Sequence, residues 1–192
     1  MDNSKDKLIL VDIFDRPVGE LDKLSVHRDG LLHRAFSVFL VDVPGRRLLL
    51  QKRAAGKYHS SGLWANTCCS HPRPEEEVLS AARRRLYEET GIRCELTELF
   101  TFIYRNVFDN GLSEYELDHV LVGNYDGESK DWLPDPDEIE ELSWVGMEHL
   151  IVALSQRPQK FASWFLIAAP QVIAYMRRLI EKEKEKPVKV ER

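Results

Sequence analysis

The run Asn66-Thr67-Cys68-Cys69-Ser70-His71-Pro72 passes directly into the best-signalled helix of the chain, so any fold must place a thiol and an imidazole at that helix's entrance. The helix is read over Pro74 to Tyr87. Proline stands at its start, Glu75, Glu76 and Glu77 fill the first turn, arginines lie toward its end and Gly91 follows. That order is favoured by the helix dipole and by end-group preferences. Val78, Leu79, Ala82 and Leu86 form its apolar stripe. Arg83, Arg84 and Arg85 are each about 100° apart around the axis, so at most one or two reach a common pocket. A thiol with an imidazole close behind suits a reactive centre better than a fold-holding device. Taken alone, Cys69 remains a nucleophile, a general base or a small buried side chain. Cys68, on the opposite face of an extended strand, and Cys94 read as filler.

The surrounding segments are β-rich. Leu8 to Asp12 with the turn Asp15-Arg16-Pro17-Val18-Gly19 reads as an opening hairpin. Phe36 to Val43 and Leu48 to Gln51 read as strands joined at Pro44-Gly45, and Leu96 to Phe108 with Ser113 to Tyr125 as a long hairpin across Asp109-Asn110-Gly111. In its second arm Glu114, Glu116 and Asp118 share one face, where like charges repel unless a cation or water intervenes. Pro134-Asp135-Pro136-Asp137 opens a linker, Leu142 to Val145 is a candidate strand and Met147 to Leu154 a short helix. Ser163 to Glu185 is helical in composition, with Pro170 a kink or restart and a solvated tail after Ile180.

With 192 residues, 43% of them hydrophobic, and no internal repeat, the expectation is a single domain with its core at about 8–176 and a charged tail at 181–192. Three cysteines make a poor disulfide framework and point to a reducing compartment. The first residues do not read as a secretory signal, and the apolar stretch from Trp164 to Met176 is interrupted and too short to span a bilayer. A soluble, cytoplasmic protein is expected. The net charge of -5 argues against nucleic-acid or membrane partners and leaves room for a locally basic pocket that takes a small anion.

His27, His33 and His71 with Glu114 and Glu116 make a candidate five-ligand site, whose imidazole and carboxylate donors suit zinc, manganese or magnesium better than copper. Spacing alone, with ligands drawn from three separate segments, favours surface histidines and a solvated acidic edge over a metal. Lys23, Arg53, Lys57 and an arginine of the helix can clamp a diphosphate; Arg53 and Lys57 belong to a basic loop that also carries Lys52 and His59. Glu89 can hold a magnesium ion bridging to that diphosphate. Tyr104 and Trp164, by themselves, read as core packing.

The Asn-Thr-Cys-Cys-Ser-His-Pro run, with Glu114-Tyr115-Glu116 and the upstream histidines, resembles type I isopentenyl-diphosphate isomerase, a relative of the Nudix hydrolases, over roughly Leu8 to Met176. The resemblance implies an α/β (α+β) Nudix-type fold, mixed β-sheets flanked by helices, and interconversion of isopentenyl and dimethylallyl diphosphate for isoprenoid biosynthesis. It implies Cys69 as one acid/base group and Glu116, assisted by Tyr104, as the other. It further implies metal ligation by His27, His33, His71, Glu114 and Glu116, diphosphate contacts from Lys23, Arg53, Lys57 and Arg85, a second, magnesium site at Glu89, and Trp164 facing the developing cation. The alternative is a Nudix hydrolase that cleaves a diphosphate linkage. In the register of its motif the glycine is Ser70 and the glutamate after Arg84 is Arg85, a cation where a metal carboxylate is required.

Overall fold

The computed structural model describes residues 7–57 and 59–184. Its centre is β3 (His33–Asp42), which pairs with four other strands. The opening hairpin β1 (Lys7–Val11) and β2 (Pro17–Asp22) meets it at Leu10 and His33. Helix α1 (Lys23–Asp29) follows directly, with the Asp22 side chain accepting from the Ser25 amide at 3.0 Å as its N-cap and Gly30 closing it at φ 63°; such a left-handed cap is where glycine is favoured.

β3 and β4 (Arg47–Arg53) begin as an ordinary hairpin from Leu40–Asp42 to Arg47–Leu49 and then splay apart. The cysteine run fills the gap. β5 (Trp64–Ala65) pairs with β4, and β6 (Cys68–Ser70) pairs with β3 in the register Ser37 to Cys69. At the fork, Thr67 Oγ1 donates to the Leu49 carbonyl at 2.6 Å and accepts from the Leu40 amide at 2.9 Å. Asn66 Nδ2 donates to the carbonyls of Val38 and Cys68. Backbone groups left open by the splaying are thus satisfied by side chains, as buried polar groups require.

α2 (Val78–Thr90) begins four residues later than the sequence suggests, because the acidic run is used as a turn. Glu75 has φ 64°, the Arg73 amide donates to Glu76 at 2.9 Å, and Arg84 holds both oxygens of Glu76 at 2.7 Å. A bidentate arginine contact offers that carboxylate more than a place in the first turn does. The hairpin β7 (Thr97–Val107) and β8 (Ser113–Asn124) forms as read, and β8 lies parallel to β3 with His33 opposite Glu116. β9 (Ile139–Gly146) covers the far edge of β4 and leads into α3 (Met147–Gln156).

The last helix, α4 (Ser163–Lys184), runs unbroken past Pro170, which faces solvent. Pro170 is therefore not a restart. A proline inside a helix costs about 3 kcal/mol, whereas Ala168, Ala169, Val172 and Ile173 beside it are buried and each large apolar side chain so placed contributes about 1.5–3 kcal/mol. Glu185 and the remaining tail lie outside the described residues; positions 181–184 are exposed.

α4 packs on one face of the sheet against Phe39, Val41, Leu48, Leu50, Val120 and Val122. α2 covers the other face through Ala81, Ala82 and Leu86 on Phe36, Val38, Leu40, Leu49 and Leu121. Burial on both faces explains the near-continuous apolar stretch in β3. Cys68 is fully buried beneath α2, and Cys94 packs at the edge of the same cluster with its thiol toward the carbonyls of Glu95 and Asn124. Both are filler.

Candidate active site

The fork between β3 and β4 opens into a cavity of about 50 Å³ that gathers Lys23, Arg53, Lys57, Cys69, His71, Arg85, Tyr104, Glu114, Glu116 and Trp164. It has three walls of different chemistry.

The first wall, through His71 and Glu116, fronts a cluster of imidazoles and carboxylates that reaches behind the cavity. Ligand atoms of His27, His33, His71 and Glu116 all lie within 4.8 Å of one another. Nδ1 of His27 faces the Lys23 carbonyl at 2.7 Å and Nδ1 of His33 the Leu31 carbonyl at 2.8 Å, which fixes each tautomer and turns Nε2 inward, as outer partners of metal-binding histidines do. Nε2 of His71 and of His33 stand 2.9 and 3.4 Å from the same Glu116 oxygen. Burial lowers His27 to about 4 and His71 to about 3, so both are neutral, the form that binds a metal. Burial works to raise Glu116, but the imidazoles of His33 and His71 beside it hold it well below the usual carboxylate range. The donor set and its protonation fit a divalent ion. Glu114 stands apart from this group: it joins His27 and His59 in a second one, with His59 Nε2 at 3.1 Å from its Oε1.

The repulsion expected among the three carboxylates of β8 is resolved in three ways. Glu116 keeps its charge, held by the imidazoles beside it. Glu114 is pushed well above its ordinary range by burial and by Glu116. Asp118 is raised likewise by burial and accepts from Ser37 Oγ at 2.8 Å. Tyr104 on β7 donates toward Glu116 at 2.6 Å and lies 3.1 Å from Glu114, so it belongs to the site and not merely to the core.

Cys69 and Trp164 form the second wall. Burial pushes the Cys69 thiol up to about 12 in spite of Arg53, whose Nη1 lies 3.4 Å from the sulfur. Trp164, in the first turn of α4, is anchored by its Nε1 donating to Asn66 Oδ1 at 3.0 Å, and its ring faces the Arg53 guanidinium at 5.3 Å.

The third wall is cationic. Arg85 alone of the three successive arginines reaches the cavity; Arg83 pairs with Glu95 outside and Arg84 with Glu76 and Glu88. Arg85 donates to Glu88 at 2.9 Å, to Glu89 at 2.6 Å and to Glu138 at 3.1 Å. Burial acts to lower its proton affinity, and the Glu89 carboxylate more than offsets this. Lys57 is paired with the other Glu138 oxygen. Lys52 instead points outward to Glu140 at 2.6 Å. His59 and Glu138 were not marked as site residues by the sequence; both sit in loops, where no periodicity signals which way a side chain faces.

The Nudix domain model matches residues 31–165. Among curated proteins the chain is 49% identical over 170 residues to isopentenyl-diphosphate Delta-isomerase 2 of Aromatoleum aromaticum, covering 88% of each. It is 52% identical to isopentenyl-diphosphate Delta-isomerase 1 of that organism, covering 88% of this chain and 94% of the relative, and 48% identical to the Burkholderia multivorans isomerase, covering 84% and 89%. Among solved structures, a Deinococcus radiodurans protein superposes with a TM-score of 0.65 at 18% identity, covering 90% of this chain and 98% of its own. The MutT Nudix hydrolase of Burkholderia pseudomallei gives 0.58 at 25% identity, covering 73% and 98%. Those structures share the fold, and the curated relatives match this chain along most of its length: this chain belongs to the isopentenyl-diphosphate Delta-isomerases of the Nudix family.

Proposed function

We propose that the chain interconverts isopentenyl and dimethylallyl diphosphate by moving a proton at each end of an allylic unit, as the names of its relatives indicate. The observation that carries this is one cavity lined by a protonated thiol, an ionised carboxylate and an indole, with cations at one side. Cys69 carries a proton that can go to the terminal alkene carbon, which leaves a tertiary cation. Glu116, with Tyr104 bonded to it, takes the proton lost from the neighbouring methylene carbon, and the exchanged pair of states serves the reverse direction. The Trp164 face stabilises the intervening cation by about 0.5–2 kcal/mol when water is excluded. Lys23, Arg53, Lys57 and Arg85 hold the diphosphate. The cavity of about 50 Å³ is well below the roughly 300–1,000 Å³ of ligand sites, so substrate enters only when the Lys57 and Arg85 pairs with Glu138 part. The small volume then favours a dry interior, which keeps water from trapping the cation.

A divalent ion held by His27, His33, His71 and Glu116, with manganese, zinc or magnesium suited to these donors, would supply a fixed charge that orients Glu116 and tunes its proton affinity. Glu89 would hold a magnesium ion that accompanies the diphosphate. Hydrolysis is disfavoured by Arg85, which stands where the hydrolase motif has a glutamate and occupies both Glu88 and Glu89. Incubation with isopentenyl diphosphate and magnesium tests the proposal: dimethylallyl diphosphate is expected, and release of phosphate or pyrophosphate would instead establish the hydrolase.

A further inference from the structure

The cavity has two ends of different chemistry. Lys57 and Arg85, both paired with Glu138, mark the end suited to a diphosphate. At the other end three rings meet: Trp164 lies 6.4 Å from Tyr104 and 6.2 Å from His59, whose ring stands edge-on to the indole at 82°. His59 is 8% exposed, and its ring stacks on Phe108 at 4.8 Å with the planes 21° apart.

Behind this pair runs a solvent-open groove of about 360 Å³, whose lining includes Ser60, Leu63, Phe108, Phe161, Ser163 and Leu166. Cavity and groove share a thin boundary. His59 and Trp164 line the cavity, their chain neighbours Ser60 and Ser163 line the groove, and Phe108 lines the groove while stacking on His59. The cavity holds about 50 Å³, whereas the groove by itself is as large as the roughly 300–1,000 Å³ of ligand sites. Leu63, Phe108, Phe161 and Leu166 give it walls suited to an alkyl chain.

We propose that the stacked rings of His59 and Phe108 form a partition that sets substrate size, confining the hydrocarbon end to a five-carbon unit and keeping longer alkyl diphosphates out of the groove. Filling space is a way of rejecting a competitor, and in an apolar pocket a single methylene changes selectivity by about 10–200-fold. The proposal deepens the isomerase reading by naming its size limit, and rests on that reading for which end of the substrate meets the rings.

Calorimetry with two unreactive saturated ligands, pentyl and decyl diphosphate, tests this on the full chain with magnesium and without turnover. In the wild type the decyl ligand should bind at least about 10-fold more weakly than the pentyl one. When His59→Ala is combined with Phe108→Ala the order should reverse, the decyl chain binding about 10-fold or more tighter as its extra methylenes enter the groove; His59→Ala alone should shift the ratio in the same direction. His59→Phe keeps a ring on Phe108 and loses the 3.1 Å contact of Nε2 with Glu114, so it should preserve the wild-type ratio. Equal or tighter decyl binding by the wild type, an unchanged ratio in alanine variants that still bind pentyl diphosphate, or a ratio reversed by His59→Phe would each overturn the partition. Failure of the wild type to form dimethylallyl diphosphate while these ratios held would count against the isomerase alone.

Discussion

Alkylation of Cys69 by iodoacetamide at pH 7 is expected to be slower than that of a solvated cysteine by a factor that follows from its surroundings. Burial, opposed by Arg53, sets the thiol at about 12, so the reactive thiolate is ~10⁻⁵ of the total at neutral pH, against ~3% for a thiol near 8.5. The ratio is about 3,000-fold, before any further slowing by restricted access. Restricted access alone would lower the rate without moving its pH dependence, so the profile is the decisive measurement. Peptide mass spectrometry between pH 7 and 10 should show the Cys69 rate rising about tenfold per unit with no plateau. A plateau with a midpoint near 8 or 9 would refute the reasoning, because it would mean that the cavity holds a thiolate and that Cys69 cannot be the proton carrier. The same logic requires Cys69→Ala to abolish isomerisation with the fold intact, a loss of at least the ~10²–10⁴ that a positioned acid or base contributes.

Glu138 engages Lys57 and Arg85, the cations a diphosphate needs; Glu138→Gln should therefore tighten binding of inorganic diphosphate without magnesium by about 10-fold, consistent with roughly 1.4 kcal/mol for a partly buried pair, and calorimetry showing equal or weaker binding would contradict it. In the chelator-treated protein, His27 and His71 titrate near 6.5 when unfolded but near 4 and 3 when folded, chiefly through burial. Between those values the unfolded chain binds more protons, so their stabilisation is complete above pH 6.5 and is lost progressively on acidification, at up to about 1.4 kcal/mol per pH unit for each group. The urea midpoint should fall between pH 6.5 and 5 and fall less steeply in His71→Gln; a flat profile would show that the imidazoles are not held neutral.

Much of the site could be read from local pattern. Glu114 and Glu116 fall on one face because a strand alternates, and a helix turning by about 100° per residue lets at most one or two of the three arginines face inward, of which Arg85 is the one at the cavity. What could not be read depends on chain segments meeting from afar. The parallel pairing of β3 with β8 sets His33 opposite Glu116, and no short-range signal carries that register. Glu138 and His59 lie in loops and acquire partners only after the sheet has closed. The late start of α2 has a similar origin, since Glu76 is drawn off by Arg84, a full two turns along the helix. Nor does residue type reveal that Glu114 and Glu116, two positions apart, are driven in opposite directions by their neighbours.

The register of β8 against β3 also limits how the protein can be altered by insertion or deletion. A slip of one residue would carry Leu117 into the histidines and turn Glu116 toward the opposite core, since successive side chains alternate between faces. A slip of two would keep the face but displace every carboxylate by about 6.8 Å along the strand, beyond the reach of His71. Length changes at the Asp109–Leu112 tip are therefore tolerable only when they leave the strands in step.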